Sequence, residues 1–214
     1  RDVAIVGMSC RLPGGIEGPA QFWDALQKGR IMTGKVPFGR WDVDALRVSD
    51  QLKKVDNDVR SRVKYGGFID DLDMFDASAF RISSAEASVM DPQQRMLLEY
   101  AELAFADAGY DRASLEGQNV GVFVGIMNSD ASVLLQEDKS GNVYSASGAT
   151  CSAAVGRVSF VFGLRGPCTS FDTACSSSLV ALQSAVRSLQ CGDCDFSRRG
   201  DRGHELSASR RHRR

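Results

Sequence analysis

Apolar residues recur along this chain with two periods, and each change of period marks a new element. Residues 119–126 place Val120, Val122, Val124 and Ile126 on alternate positions, the two-residue repeat of a strand in a central sheet. Leu97, Leu98, Ala101, Ala104, Phe105 and Ala108 recur instead at helical spacing. Asp91 and Pro92 ahead of them supply an N-cap and a first-position proline, and Gly109 closes the run, so a helix is predicted between these limits. Residues 3–7 form a short apolar run ending in Gly7 and predict a buried strand. A second helix begins near Pro19, carries Phe22, Trp23 and Leu26 on one packing face, and stops at Gly29.

The later half follows the same logic. Residues 145–162 are rich in Ala, Ser and Gly and then carry Val155, Val158 and Phe162, which predicts a helix lying close against another element. Gly163, Gly166 and Pro167 end it. Residues 169–173 alternate polar and apolar side chains as a short strand, and Leu179, Leu182, Val186 and Leu189 then return at helical spacing. Between the two halves, residues 42–64 are polar and mixed in charge, a solvated loop with room for one short helix. Its Lys53-Lys54 pair reads as a solvated face before a docking site for a partner. Strands alternating with helices predict an α/β fold of layered sheet and helix.

Composition narrows the class. A hydrophobic share of 43% with 25% charged residues is that of a globular domain able to bury a core without disulfides, although six cysteines are present. The longest apolar stretches fall short of the roughly 20 residues a bilayer requires. The chain opens on Arg1 with no signal-peptide pattern, so it reads as cut at its N-terminus and as an intracellular protein, with a plastid or other organelle left open. Gly7-Met8-Ser9-Cys10-Arg11 lacks the glycine spacing of a dinucleotide-binding loop. Cys191 and Cys194 have C-x-x-C spacing but no second pair and no suitably spaced histidines, so a helix end capped by Gly192 is expected there in place of a zinc site.

The chemistry concentrates at residues 166–179. Strand, tight turn and helix place Cys175 on the turn, where the helix N-terminus directs unpaired N–H groups and partial positive charge at its sulfur. Such a position favours the thiolate, and the same N–H groups can hold a developing oxyanion. This is a nucleophile suited to forming a thioester. Spacing alone leaves a plainer alternative open, a buried cysteine among small residues at a strand-helix junction.

Asp172-Thr173-Ala174-Cys175-Ser176-Ser177-Ser178-Leu179 resembles the active-site signature of β-ketoacyl synthases, in particular the ketosynthase domains of modular polyketide synthases and related fatty acid synthases. Val3-Ala4-Ile5-Val6-Gly7-Met8-Ser9-Cys10-Arg11-Leu12-Pro13-Gly14 is similar to that family's opening strand and loop, and Phe22-Trp23-Asp24 with Leu26 to its first helix. Gly66-Gly67-Phe68-Ile69, Phe75-Asp76-Ala77 and Asp91-Pro92-Gln93-Gln94-Arg95 resemble its middle segment. The resemblance runs in order from residue 3 to about 195. It implies the thiolase fold, a five-layered α-β-α-β-α arrangement of two similar halves, of which residues 1–195 carry the first. It also implies that Cys175 takes an acyl chain as a thioester from the phosphopantetheine of an acyl carrier protein, with no cofactor or metal bound directly. Decarboxylative condensation with a malonyl unit follows, and the family dimerises through the strand preceding the cysteine, here residues 169–173. A thiolase or a hydrolase with similar geometry is the rival chemistry, and Ser176-Ser177-Ser178 with residues 91–95 favours the ketosynthase.

The family's two catalytic histidines lie well beyond its cysteine. Here the only histidines are His204 and His212, inside a segment that does not resemble the family. Residues 196–214 form a basic tail expected to be disordered, or else the product of a shifted reading frame or a real truncation. A catalytically silent fragment or a dimerising scaffold is therefore the rival function. Setting aside the tail's seven arginines, Asp201 and Glu205 leaves 19 basic and 25 acidic residues, so the body is a poor nucleic-acid binder.

Overall fold

The alternating run around Val122 and the run before the cysteine pair with each other. In the computed structural model, which describes residues 2–42, 62, 64–129 and 143–195, the chain divides into two units. The first is built from residues 2–3, 110–128 and 155–195, and the second from the described residues of 4–109 and 129–154.

In the first unit, β3 (Val122–Gly125) lies parallel to β4 (Cys168–Phe171), with Val122 opposite Cys168 and Gly125 opposite Phe171. Parallel neighbours need a crossover, and α6 (Cys151–Val161) falls between them in the chain. Backbone bonds continue the pairing at both ends, from Val122 N–H to Pro167 C=O at 2.7 Å and from Ile126 N–H to Phe171 C=O at 3.0 Å. Of the alternating residues Val120, Val122 and Ile126 are buried and Val124 is half-buried, in a core with Val155, Val158, Phe162 and Leu164. The short helix α4 (Arg112–Leu115) opens on a reciprocal capping box between Asp111 and Ser114. Its Leu115 joins this core, and Arg112 lies over the Phe162 ring at 5.7 Å. Helix α7 (Ser177–Cys191) packs on both strands. It ends at Gly192 in the left-handed conformation, φ +81°, whose N–H reaches the Ser188 and Leu189 carbonyls. The C-x-x-C pair is thus a helix end: Cys191 is exposed and Cys194 buried, and burial pushes the Cys194 thiol upward.

The second unit is organised by α3 (Pro92–Asp107), with Asp91 as N-cap and Leu98 fully buried. Ahead of it lie α1 (Pro19–Gln27), the two-residue antiparallel pair β1 (Gly34–Lys35) and β2 (Tyr65–Gly66), and α2 (Ser84–Ala87). The segment before α1 is tied to α3 by Met8 N–H donating to the Asp107 carboxylate and by the Ser9 hydroxyl donating to Tyr100 C=O.

Three expectations are corrected. Residues 3–7 form no strand, because among the described residues none offers them a ladder partner, and Ile5 is 71% exposed. On α1, only Ala25 is buried, while Trp23 is 63% exposed, so its apolar stripe is uncovered. The helix expected over 145–162 is broken into α5 (Ser145–Gly148) and α6. The cause is local: in a continuous helix the Gly148 carbonyl would accept from residue 152, but here it accepts from Asp91 N–H at 2.8 Å and from Gln94 Nε2 at 2.9 Å. Gln94 is buried, and the same amide also donates to the Ser147 carbonyl at 3.0 Å and the Thr150 carbonyl at 3.3 Å. The loop expected over 42–64 and the basic tail lie almost wholly outside the described residues. Among those described, no helix is long and apolar enough to cross a membrane.

Candidate active site

The strand predicted over 169–173 stops at Phe171, two residues early, and the difference builds the site. Beyond Phe171 the backbone leaves the β3 ladder, and Thr173 N–H turns to the Ser177 hydroxyl at 2.9 Å. Ala174 then adopts φ +55°, a left-handed conformation uncommon for a residue with a Cβ and costing on the order of 1–3 kcal/mol. Cys175 follows at once, and Ser176 is the N-cap residue of α7.

The turn is held from the helix side. Ser176 Oγ donates to Thr173 C=O at 2.8 Å and lies 2.9 Å from Thr173 Oγ1, while Ser177 Oγ donates to Ala174 C=O at 2.7 Å. The Ser176 and Ser177 N–H groups reach the same two carbonyls at 3.3 and 3.1 Å. On the strand side, the Asp172 carboxylate accepts from Ala174 N–H at 3.3 Å. These serines carried only a family signature in the sequence, where nothing but the small-polar run after Cys175 hinted that they secure the turn.

Cys175 is exposed on this turn. Cys175 stands at the N-terminal end of the 15-residue helix α7, where the helix dipole favours negative charge. A thiol with adjacent backbone donors can attack a carbonyl and stabilise the resulting oxyanion.

The height of this turn above the sheet is set by Gly125, at the end of β3. A Cβ there would sit 2.5 Å from Ser178 N and 2.6 Å from Ser177 C, so glycine alone lets the first turn of α7 lie on the strand. In the sequence, Gly125 shows only as a break near the end of an alternating strand. Among the described residues, no three His, Cys, Asp or Glu side chains converge as metal ligands. His204 and His212 lie outside the described residues.

Comparison with known proteins agrees with this arrangement. Residues 1–197 match the family model of the β-ketoacyl synthase N-terminal domain. A phenolphthiocerol/phthiocerol polyketide synthase of Mycobacterium tuberculosis is 44% identical over 199 residues, covering 92% of this chain and 13% of that protein. A ketosynthase from module 6 of the bacillaene synthase of Bacillus subtilis superposes with a TM-score of 0.75 at 36% identity, over 90% of this chain and 30% of that one. The oxazolomycin ketosynthase domain OzmH KS7 of Streptomyces albus gives 0.76 at 36% identity, over 89% and 33%. The chain therefore spans about a third of the solved domains it matches, and its α/β architecture is part of the thiolase-like fold those domains have. On the family match from residue 1 to 197, this chain belongs to the β-ketoacyl synthases.

Proposed function

We propose that this chain carries the acyl-accepting half of a ketosynthase, with Cys175 as nucleophile. The Cys175 sulfur attacks the carbonyl of an acyl thioester on the phosphopantetheine of an acyl carrier protein. The new carbon–sulfur bond forms to Cys175, the bond to the pantetheine sulfur breaks, and the proton lost from Cys175 ends on the departing thiol. The Cys175 N–H is one donor to the intermediate oxyanion. Condensation follows in the whole enzyme. A malonyl thioester loses carbon dioxide, its enolate carbon bonds to the acyl carbon, and Cys175 leaves and regains a proton. The carbon chain is thereby extended as in polyketide or fatty acid synthesis. No cofactor takes part directly. The observation that carries this reading is an exposed cysteine on a strained turn at the head of α7.

The partners proposed are an acyl carrier protein and a second copy of the enzyme. Pairing through β4 is the route to the dimer, since among described strands β4 is hydrogen-bonded only to β3. Intact mass spectrometry after incubation with a short acyl thioester, beside Cys175→Ala, tests the first step. One adduct, lost in the variant, is expected. Adducts spread evenly over the cysteines, or none, would reduce this chain to a silent fragment or scaffold.

A further inference from the structure

We infer that Ser177 is a positioning residue for Cys175, acting through the backbone of the turn and touching neither thiol nor substrate; this rests on the acyl-accepting role of Cys175. The Ser177 hydroxyl both accepts from Thr173 N–H at 2.9 Å and donates to Ala174 C=O at 2.7 Å. It thus ties the Asp172–Thr173 peptide, through its N–H, to the Ala174–Cys175 peptide, through its C=O, and so spans Ala174, the residue at φ +55°. A hydroxyl has one proton to give and lone pairs to receive, so the two bonds use it without conflict.

Burial distinguishes this clamp from its neighbour. The Ser176 hydroxyl also holds Thr173, but Ser176 is exposed and water can take its place. Ser177 is 6% exposed and packed over Gly125, so its hydroxyl is less readily replaced by water than that of Ser176. Without it, Thr173 N–H loses its partner and Ala174 C=O keeps only the Ser177 N–H at 3.1 Å, so the left-handed Ala174 is held less firmly. The Cys175 sulfur and N–H, which follow directly, then swing off the α7 terminus. The function of the hydroxyl is to keep the nucleophile and its oxyanion donor in one fixed relation, which sets the rate of attack and leaves the affinity for the acyl thioester alone.

The test uses the full 214-residue chain. Single-turnover acylation of Cys175 by acetyl-N-acetylcysteamine is followed by peptide mass spectrometry, and amide exchange is read in peptides covering residues 172–178 and 152–161. Ser177→Ala is expected to lower the limiting acylation rate at least tenfold, to leave the half-saturating thioester concentration within twofold, and to speed exchange at 172–178 alone. Glycine has no aversion to the left-handed region, so the same substitution in an Ala174→Gly background is expected to cost less than threefold.

An unchanged limiting rate overturns the inference. So does a loss of equal size in the Ala174→Gly background, or exchange that rises equally in both peptides, which would make Ser177 a support of the fold at large. If the parent chain accepts no acyl group, the proposed function fails, and local exchange at 172–178 still reports whether the clamp exists.

Discussion

Gly125→Ala tests whether the strand end sets the position of Cys175. The added methyl would meet Ser178 N at 2.5 Å, Ser177 C at 2.6 Å and Ser177 O at 2.8 Å, all backbone atoms that no rotamer change can move aside. Ordinary contact begins at 3.4 Å, so α7 and β3 must separate by about 0.9 Å. Overpacking of this kind costs about 1–3 kcal/mol. Misplacement of a reacting group by ~1 Å can slow chemistry on the order of 10²-fold. The expected result is a lower urea midpoint together with a ten- to hundredfold fall in acylation of Cys175. Gly156→Ala is the control, because a Cβ at Gly156 in α6 meets nothing within 4 Å, and helical alanine should raise stability by ~0.5–1 kcal/mol. Urea denaturation followed by circular dichroism, with acylation followed by mass spectrometry, measures both. Opposite signs at the two glycines support the reasoning. A Gly125→Ala protein as stable and as reactive as its parent would refute it.

Further outcomes follow from other parts of the chain. Gln94→Leu removes the side-chain donor from the Ser147 carbonyl, while Thr150 keeps Ala154 N–H and Gly148 keeps Asp91 N–H, and should cost about 1–3 kcal/mol, with faster amide exchange over residues 145–151. Gln94→Glu sets an acceptor against the same carbonyls and should cost more at pH 7; equal or smaller loss would dismiss the knot around Gly148 as unimportant. Acid behaviour separates the carboxylates by sign. The Ser78 hydroxyl and then the Ala79 N–H hold the Asp76 carboxyl below its ordinary range, and the Ser114 N–H and hydroxyl do the same for Asp111. Their contribution is complete above the unfolded value near ~3.9 and disappears as pH falls through the lower folded values, so Asp76→Asn should lower the urea midpoint at pH 7 and not at pH 2. Burial raises Glu99, against the pull of Arg11 and Arg95, so its charged form opposes folding once pH passes the unfolded value. Glu99→Gln should therefore raise the midpoint at pH 7 and leave it unchanged at pH 3, and the reverse order would show that the two arginines outweigh burial. Iodoacetamide should modify exposed Cys191 well before buried Cys194, whose thiol burial pushes up; equal rates would mean that the end of α7 opens freely.

The sequence alone determined the elements whose causes are local. Asp91, Pro92 and the stripe through Leu98 specify α3 within a few residues of one another, and Gly192 specifies the end of α7 by the conformation it permits. The β-branched alternation at 120–126 and the helical return after Cys175 likewise carry their own period, and the signature at 172–179 pointed to the family before any coordinates. Tertiary structure decided what depends on partners distant in sequence. Residues 3–7 have strand composition, but a strand exists only where a neighbour completes its hydrogen bonds. The small-residue run at 145–162 has helical period throughout, yet Gln94 and Asp91, more than fifty residues earlier, capture the carbonyls that would have continued it. The site divides in the same way. Cys175 is legible as a residue type on a turn, whereas its exposure, the left-handed Ala174, the clamp from Ser177 and the bare strand end at Gly125 arise only when β3, β4 and α7 meet. Period and capping act over one or two turns of chain and are written in adjacent residues, while close approach and buried hydrogen bonds are properties of pairs that only folding brings together.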